Sequence, residues 1–391
     1  MPQGGAAAPP AQAPTPPAAG RPSVVEVASI PIAPQVARPR REPGAQIKVG
    51  MLLSLSGRAA AIGRDMQDAA QMALFDNADA KFELLMRDDG GTVEGAREAA
   101  SQVLAEGAQI LLGPLTRAQV QAVAPLARQR GVAVVSFSND RGVAGDGVLI
   151  LGYTPEEQIE RVVRHAAAAG VRAFGALAPD GAFGQAVALA MDRNVIRAGG
   201  QLVRRQGYAA DSEGDALKPA VDRALSAGPS GRPYDALLIA EGGARLRAIA
   251  QHVAAHRLEQ GAVRFLGTRD WQQIACREPA LAGAWFPAAP PQVLETFQRR
   301  FATLYRRQPD PLVATLAYDA VALAAVIARD PAGADFSLEH LADPDGFAGT
   351  AGIFRFGVDG VAQRGLAILE VQRSGCRVVS PAPETFQSLG N

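Results

Sequence analysis

Cysteine and histidine are scarce in this chain, with two of the first and four of the second among 391 residues. Few metal sites can be built from so little. His252 and His256 stand at i, i+4 with Glu259 three residues on, a spacing that could hold a metal, but no Glu lies between them as metalloprotease chemistry requires. The segment is otherwise amphipathic and reads as a solvated helix face. A charge of one sign is also lacking: Lys plus Arg equals Asp plus Glu at 39 each, which gives no electrostatic case for nucleic acid or an anionic membrane surface. The longest apolar runs, such as AYDAVALAAVIA, fall short of the ~20 residues a spanning helix needs, and Asp319 interrupts that one. Catalytic signatures are missing too. There is no G-x-S-x-G elbow, no G-x-x-x-x-G-K-[ST] loop, and no G-x-G-x-x-G after a strand. Asp88-Asp89-Gly90-Gly91 follows a strand, where Asp and Gly ordinarily make the turn rather than bind a cation. No cofactor is implied.

What is present is a chain too long for one core, so two domains of roughly 100 to 200 residues are expected, with 48% hydrophobic residues to fill them. The first 45 residues differ in kind. They hold 11 of the 28 prolines among Ala, Gln and Gly, a composition that predicts a disordered, partly extended tether. The tether carries no basic n-region, apolar h-region or lipoprotein-like Cys, so no export signal is visible in the sequence as written. Beyond it, strands and helices alternate. Strands are predicted at 47 to 53, 82 to 86, 108 to 112, 132 to 136, 148 to 151, 172 to 178, 201 to 206, 235 to 240 and 263 to 267. The clearest helices are predicted at 61 to 78, 92 to 106, 117 to 130, 156 to 169, 183 to 198, 243 to 257, 291 to 307 and 312 to 329, with Pro125 inside the third. The alternation argues for an α/β fold with parallel sheets.

The most informative stretch is Ile110 to Asn139, a strand, turn, helix and second strand in thirty residues. ILL ends at Gly113-Pro114, Thr116 can cap the next helix, and Val132 to Val135 forms another apolar strand. In such units ligands sit beyond the carboxyl ends of the strands, where a helix N-terminus offers unpaired N–H groups. Ser54, Ser56 and Gly57 follow the first strand, Thr116 and Arg117 the third, and Ser138 and Asn139 the fourth. Three strand ends thus converge on one locus, although Ser and Thr would cap helices there in any case.

This segment resembles the leucine-binding-protein family of type I periplasmic binding proteins, and more closely their relatives called penicillin-binding protein activators. IKVGMLLSLSGRAAAIGRDMQDAAQMAL is similar to that family's first strand, Ser-Gly turn and first helix, and LGYTPEEQ to its crossing into the second lobe. APDGAFGQAVALAM, YDALLIAEGG and FLGTRDW resemble second-lobe strand-to-helix junctions, and GIFRFGVDGVAQR the late hairpin. The resemblance implies a two-lobed fold, each lobe a mainly parallel sheet flanked by helices. It implies lobe one at 46 to 152 plus 288 to 342, lobe two at 153 to 287 plus 343 to 380, hinges near Gly152-Tyr153 and Phe286-Pro287, and a tail at 381 to 391. It also implies a ligand held at Thr116-Arg117 and Ser138-Asn139-Asp140, with Tyr153, Phe183 and Asp270 with Trp271 closing over it from lobe two. Arg117 and Phe183 depart from the amino-acid pocket, where a small hydroxyl residue and a tyrosine are usual. Cys276 and Cys376 would both fall in lobe two; nothing local fixes their distance, so a disulfide and two separate thiols both stay open.

Two functions follow from the resemblance. The first is a non-enzymatic periplasmic regulator tethered by its N-terminus and docking on a peptidoglycan synthase, favoured by LGPLTRAQV and the long tether. The alternative is the soluble receptor of an importer, delivering an amino acid or related small anion to an ABC permease.

Overall fold

The strands read from the sequence assemble into two sheets whose central strands, such as β3 and β8, are fully apolar and need cover on both faces, while the edge strands β2 and β7 carry charged residues. In the computed structural model, residues 46–79, 81–227, 233–259, 262–330 and 333–386 are described. The strands are β1 (Ile47–Leu53), β2 (Phe82–Asp88), β3 (Ile110–Leu112), β4 (Ala133–Ser136), β5 (Val148–Ile150), β6 (Ala173–Pro179), β7 (Gln201–Tyr208), β8 (Ala236–Ile239), β9 (Arg264–Gly267) and β10 (Trp285–Ala288). Five more follow: β11 (Phe347–Gly349), β12 (Gly352–Phe356), β13 (Ala362–Arg364), β14 (Ala367–Val371) and β15 (Cys376–Ser380). The helices are α1 (Ala60–Asn77), α2 (Val93–Ala105), α3 (Arg117–Gln129), α4 (Pro155–Ala168), α5 (Ala182–Arg197), α6 (Lys218–Leu225), α7 (Gly243–Ala255), α8 (Pro291–Tyr305) and α9 (Pro311–Ala328).

The first sheet has the order β2-β1-β3-β4-β5 and is parallel throughout. One of its faces is covered by α2 and α3, whose Ala100, Val103, Val120 and Val123 are buried against Leu52, Leu111 and Val134. The other is covered by α1, α8 and α9. Helix α9 explains its composition: at 18 residues with mean hydropathy 1.9 it is long and apolar enough to cross a membrane, yet 61% of it is buried inside the molecule. Its apolar stretch is therefore longer than the sequence reading allowed. Buried Asp319 does not interrupt the helix, because Oδ1 accepts from the backbone N–H (2.7 Å) and hydroxyl (2.8 Å) of Thr350.

The second sheet runs β15-β14-β10-β9-β8-β6-β7, parallel from β10 to β7 and antiparallel at β14 and β15. Helices α4 and α5 cover one face, and α6 and α7 the other. Cys276 and Cys376 are joined by a disulfide that ties the turn after β9 to the start of β15.

The chain crosses between the sheets at 151–154, where Gly152 leaves no room for a side chain: a Cβ there would stand 2.2 Å from the Ser138 carbonyl oxygen. It returns after β10. The late hairpin, strands β11 to β13, differs from the expected lobe assignment. It hangs on the edge of the first sheet, with the Ile150 N–H donating to the Gly360 carbonyl at 2.8 Å. Its Phe354, Phe356 and Ala362 are buried in the first lobe's core, whereas the sequence reading put 343 to 380 wholly in lobe two. Alternating apolar residues carry no mark of which core they will enter. The expected tether at 1–45 and the end of the tail, 387–391, lie outside the described residues.

Candidate functional site

Strand ends build two walls. On the first lobe, the turns after β1 and β2 are locked together: Ser54 is buried and its Oγ donates to Asp89 Oδ1 at 2.7 Å. Asp88 Oδ1 accepts backbone N–H groups of Leu55 (2.8 Å), Ser56 (3.2 Å) and Gly90 (2.8 Å). Burial pushes the Asp88 carboxyl up, but the Ser56 hydroxyl and those three amides outweigh it and hold the group below the usual range. The Asp-Asp-Gly-Gly run is thus a turn-maker.

After β3, Thr116 forms a complete capping box with Gln119 at the start of α3. It occupies two of the amides there and leaves the other first-turn N–H groups to solvent or a ligand. Arg117, 54% exposed, donates from Nη1 to Asp140 Oδ2 at 2.9 Å. After β4, buried Ser138 accepts the Asp140 N–H at 3.1 Å, Asp140 caps the next turn through the Gly142 N–H at 2.8 Å, and Asn139 is exposed. Thr116, Arg117, Ser138, Asn139 and Asp140 therefore do share one rim. Their polar atoms mostly serve the turns that bring them there.

The second wall comes from the ends of β7, β8 and β9. Glu241, buried, accepts the Tyr208 hydroxyl at 2.7 Å, the Gly242 N–H at 3.1 Å and Arg245 Nε at 3.1 Å. Burial, then the bond to Glu241, hold the Tyr208 phenol well above its ordinary pKa, so it stays a donor. The turn after β9 presses on the turn after β8: a Cβ on Gly242 would stand 2.7 Å from Asp270 Cβ. Asp270 keeps a 3.2 Å bond from Thr268 Oγ1; burial raises its pKa above 3.8, against the pull of that bond and of Arg269, with Glu241 and Asp310 adding smaller upward pushes. Asp310 caps α9 in the first lobe and accepts from Gln273 Nε2 of the second at 3.0 Å, so the two walls meet there. Phe183, in the first turn of α5, is half-buried against the α4–α5 core.

Two residues expected over the ligand lie elsewhere. The Trp271 ring is fully buried in the second core, its Nε1 donating to the Ile239 carbonyl at 3.1 Å. Tyr153, 9% exposed, faces two guanidinium groups: Arg269 Cζ lies 3.7 Å and Arg364 Cζ 4.3 Å from its ring centroid. A Trp or Tyr beside a strand end gives no hint of whether its ring turns inward or outward. Tyr208 and Glu241 were missed, although a Glu directly after the apolar run ALLIA is the same signal that marked Ser54 and Ser138. His252 Nε2 lies 3.1 Å from the Gly214 carbonyl oxygen and His256 Nε2 2.8 Å from Asp222 Oδ1, so both rings serve local packing.

A family model described as periplasmic binding protein matches residues 46–376. The chain is a member of the periplasmic binding protein family. Structures of other members share this fold. The chain matches a putative branched-chain amino acid ABC transporter from Rhodospirillum rubrum with TM-score 0.72 and 20% identity, covering 85% of this chain and 100% of that one. It matches a solute binding protein of an ABC transporter from Rhodopseudomonas palustris BisB5, in complex with 3,4-dihydroxy benzoic acid, with TM-score 0.65 and 16% identity over 86% and 99% of the two chains. It is also 23% identical over 176 residues to the uncharacterized protein RP748 of Rickettsia prowazekii, spanning 45% of this chain. That alignment takes in 46% of the relative, so the chain spans just under half the length of the curated protein it matches. This periplasmic binding protein shares its two-lobed fold with those ABC transporter structures.

Proposed function

We propose that this protein is the periplasmic receptor of an ABC importer for a small ligand carrying both an amine and a carboxylate, an amino acid or a close relative. The observation that carries the reading is the pairing of unlike walls. Asp270, beside the Arg245-paired Glu241, gives one wall a carboxylate suited to an ammonium group, while the exposed start of α3 with Arg117 gives the other N–H donors and a cation suited to a carboxylate. The transporter-type relatives support it. The fold's three crossings supply the hinge about which such receptors close.

Calorimetry with the common amino acids, simple amines and aromatic carboxylates tests the reading. Binding of an amino acid, with its deaminated and decarboxylated analogues each weaker, is expected. No binding of any of them at millimolar concentration would overturn it. A docking regulator of a peptidoglycan synthase is the second reading, favoured by one observation: the hydroxyls of Ser54, Thr116 and Ser138 are already engaged within the first lobe. A pull-down against peptidoglycan synthases separates the two.

A further inference from the structure

Beneath the cleft lies a cluster that the proposed ligand site does not use. Arg269, 1% exposed, extends from the turn after β9, and Arg364, 6% exposed, from the end of β13; both guanidinium groups face the Tyr153 ring. Nε, Nη1 and Nη2 of Arg269, and Nε and Nη1 of Arg364, have no hydrogen-bond partner among the described residues. The same holds for both carboxyl oxygens of Glu157 on α4 and for Oδ2 of Asp319 on α9. Two cations and two carboxyls are therefore buried together without direct pairing. Removing such groups from water costs several kcal/mol each unless their hydrogen bonds are met, and buried polar groups in native proteins almost always find partners. A cluster of this kind persists where tertiary structure fixes it or where another conformation returns it to water.

Its position favours the second explanation. Arg269 and Glu157 belong to the second lobe, Asp319 to the first, and Tyr153 to the first crossing. Gln158 ties these parts: its Oε1 accepts the Arg269 N–H at 2.8 Å, and its Nε2 donates to the carbonyls of Tyr153 (3.3 Å) and Thr154 (3.0 Å). Arg364 Nη2 donates to the Leu151 carbonyl at 2.5 Å, and the Tyr153 hydroxyl lies 3.4 Å from Thr315 Oγ1. Any hinge motion at 151–154 moves these groups relative to one another.

We infer that Arg269, Arg364, Tyr153, Glu157 and Asp319 form an interlobe latch in which closure of the lobes buries the cluster and the proton on Glu157 sets how firmly they stay closed. The inference rests on the hinged-receptor reading. The groups facing Glu157 are Arg364 from β13, Arg269 from the turn after β9, and Glu160 from its own helix. Those facing Asp319 are Thr350, Arg364 and Arg269, and those facing Arg269 include Asp270. Burial pushes Glu157 from 4.5 up to about 8, against the pull of Arg364 and Arg269. Burial likewise pushes Asp319 up to about 6. A carboxyl whose pKa is higher in the closed form makes that form take up a proton. Closure is thus favoured below the ordinary carboxyl range and weakens as pH rises, by at most about tenfold per unit for one proton, until Glu157 ionises in the closed form as well. Between about pH 6 and 8 the dependence belongs to Glu157, because Asp319 has already ionised.

The two cysteines are paired, so F75C and I196C, at sites 84% and 73% exposed on opposite lobes, place spin labels on the full chain without background. Distance distributions are recorded without ligand from pH 6 to 8. The expected result is a short-distance population that gives way to a longer one as pH rises, with E157Q holding the short population throughout. R269Q removes one of the buried charges that oppose closure and should raise the short population at every pH; if it does not fold, E157Q still decides. A wild-type distribution that ignores pH, or an E157Q variant with the wild-type slope, would overturn the latch. Adding the amino acid found by calorimetry distinguishes the two ideas. Ligand-driven shortening with no pH response removes the latch alone, whereas a pH response lost in E157Q with no ligand binding removes the receptor reading and leaves the latch standing.

Discussion

The two cleft walls are both made of strand ends, yet they treat their polar groups in opposite ways. On the first lobe, Ser54, Thr116, Ser138 and Asp140 spend their hydrogen bonds on neighbouring turns and caps. On the second, Glu241 is buried and paired with Arg245, whereas Asp270 has one side-chain bond, from Thr268, and burial holds it above its ordinary pKa against the pull of that bond and of Arg269. A hydroxyl that caps a turn is satisfied at little electrostatic cost. A half-buried carboxylate with a single side-chain bond is not, and structure of that kind is expected where a ligand's positive charge will relieve it. The contrast suggests that the first wall's hydroxyls set geometry, while Asp270 on the second sets charge.

The largest effect that would sharpen this contrast comes from the disulfide that braces the second wall's lobe. Replacing Cys276 and Cys376 with serine frees a loop of 100 residues, which loop-closure entropy values at about 4 to 5 kcal/mol. Calorimetric melting should show the second lobe unfolding well before the first; a single undivided transition at the wild-type temperature would contradict this. Next comes charge. Asp270→Asn should weaken amino-acid binding by roughly 10- to 100-fold, in line with the ~1.5–3 kcal/mol of a hydrogen bond to a charged group, while leaving melting nearly unchanged. Equal losses in binding and stability would break the distinction between the walls.

Ser54→Ala should do the reverse. It leaves Asp89, whose Oδ2 already has no partner among the described residues, without its bond from Ser54, and should cost about 1–3 kcal/mol in denaturant unfolding with little change in affinity. The smallest expected effect is at the rim: the Arg117–Asp140 pair is half-exposed, and Arg117→Ala should change stability by less than about 1 kcal/mol. A pH series adds a directional check. Because the Asp270 pKa is raised above 3.8, amine binding should fall away as pH drops toward that elevated value, from a plateau above it; affinity that strengthens on acidification would remove Asp270 from the ammonium site.

Much of the fold was legible because fully apolar strands and capped helices leave local marks. Strands β1 to β9 and all the helices above except α6 lie within a few residues of where the sequence reading puts them. Strand β10 was not found, since WFPA carries a proline and reads as a crossing. Helix α6 has only eight residues, with Pro219 in its first turn, too little for a periodic pattern. Site residues divide in the same way. Ser138 could be placed because it closely follows an apolar run, and Thr116 because it is a helix-capping residue just past another. Arg269, Arg364 and Glu157 could not, because nothing local separates an arginine stacked on a tyrosine from one in solvent. Their neighbours come from β13, α4, α9 and the first crossing, and only the assembled chain brings those together.

The packing of α1 against α9 bears on the order in which the molecule is made. The first sheet is complete in the chain by Ile150, yet the helix that seals it ends at Ala328, and the bond from the Tyr318 hydroxyl to Asp76 spans 242 residues. The second sheet waits still longer, for β14 and β15. Neither half can finish while the chain is still emerging, so a nascent chain presents unsealed apolar surface until almost its last residues appear. A protein built this way is poorly suited to closing early, which agrees with a family whose members do their work on the far side of a membrane.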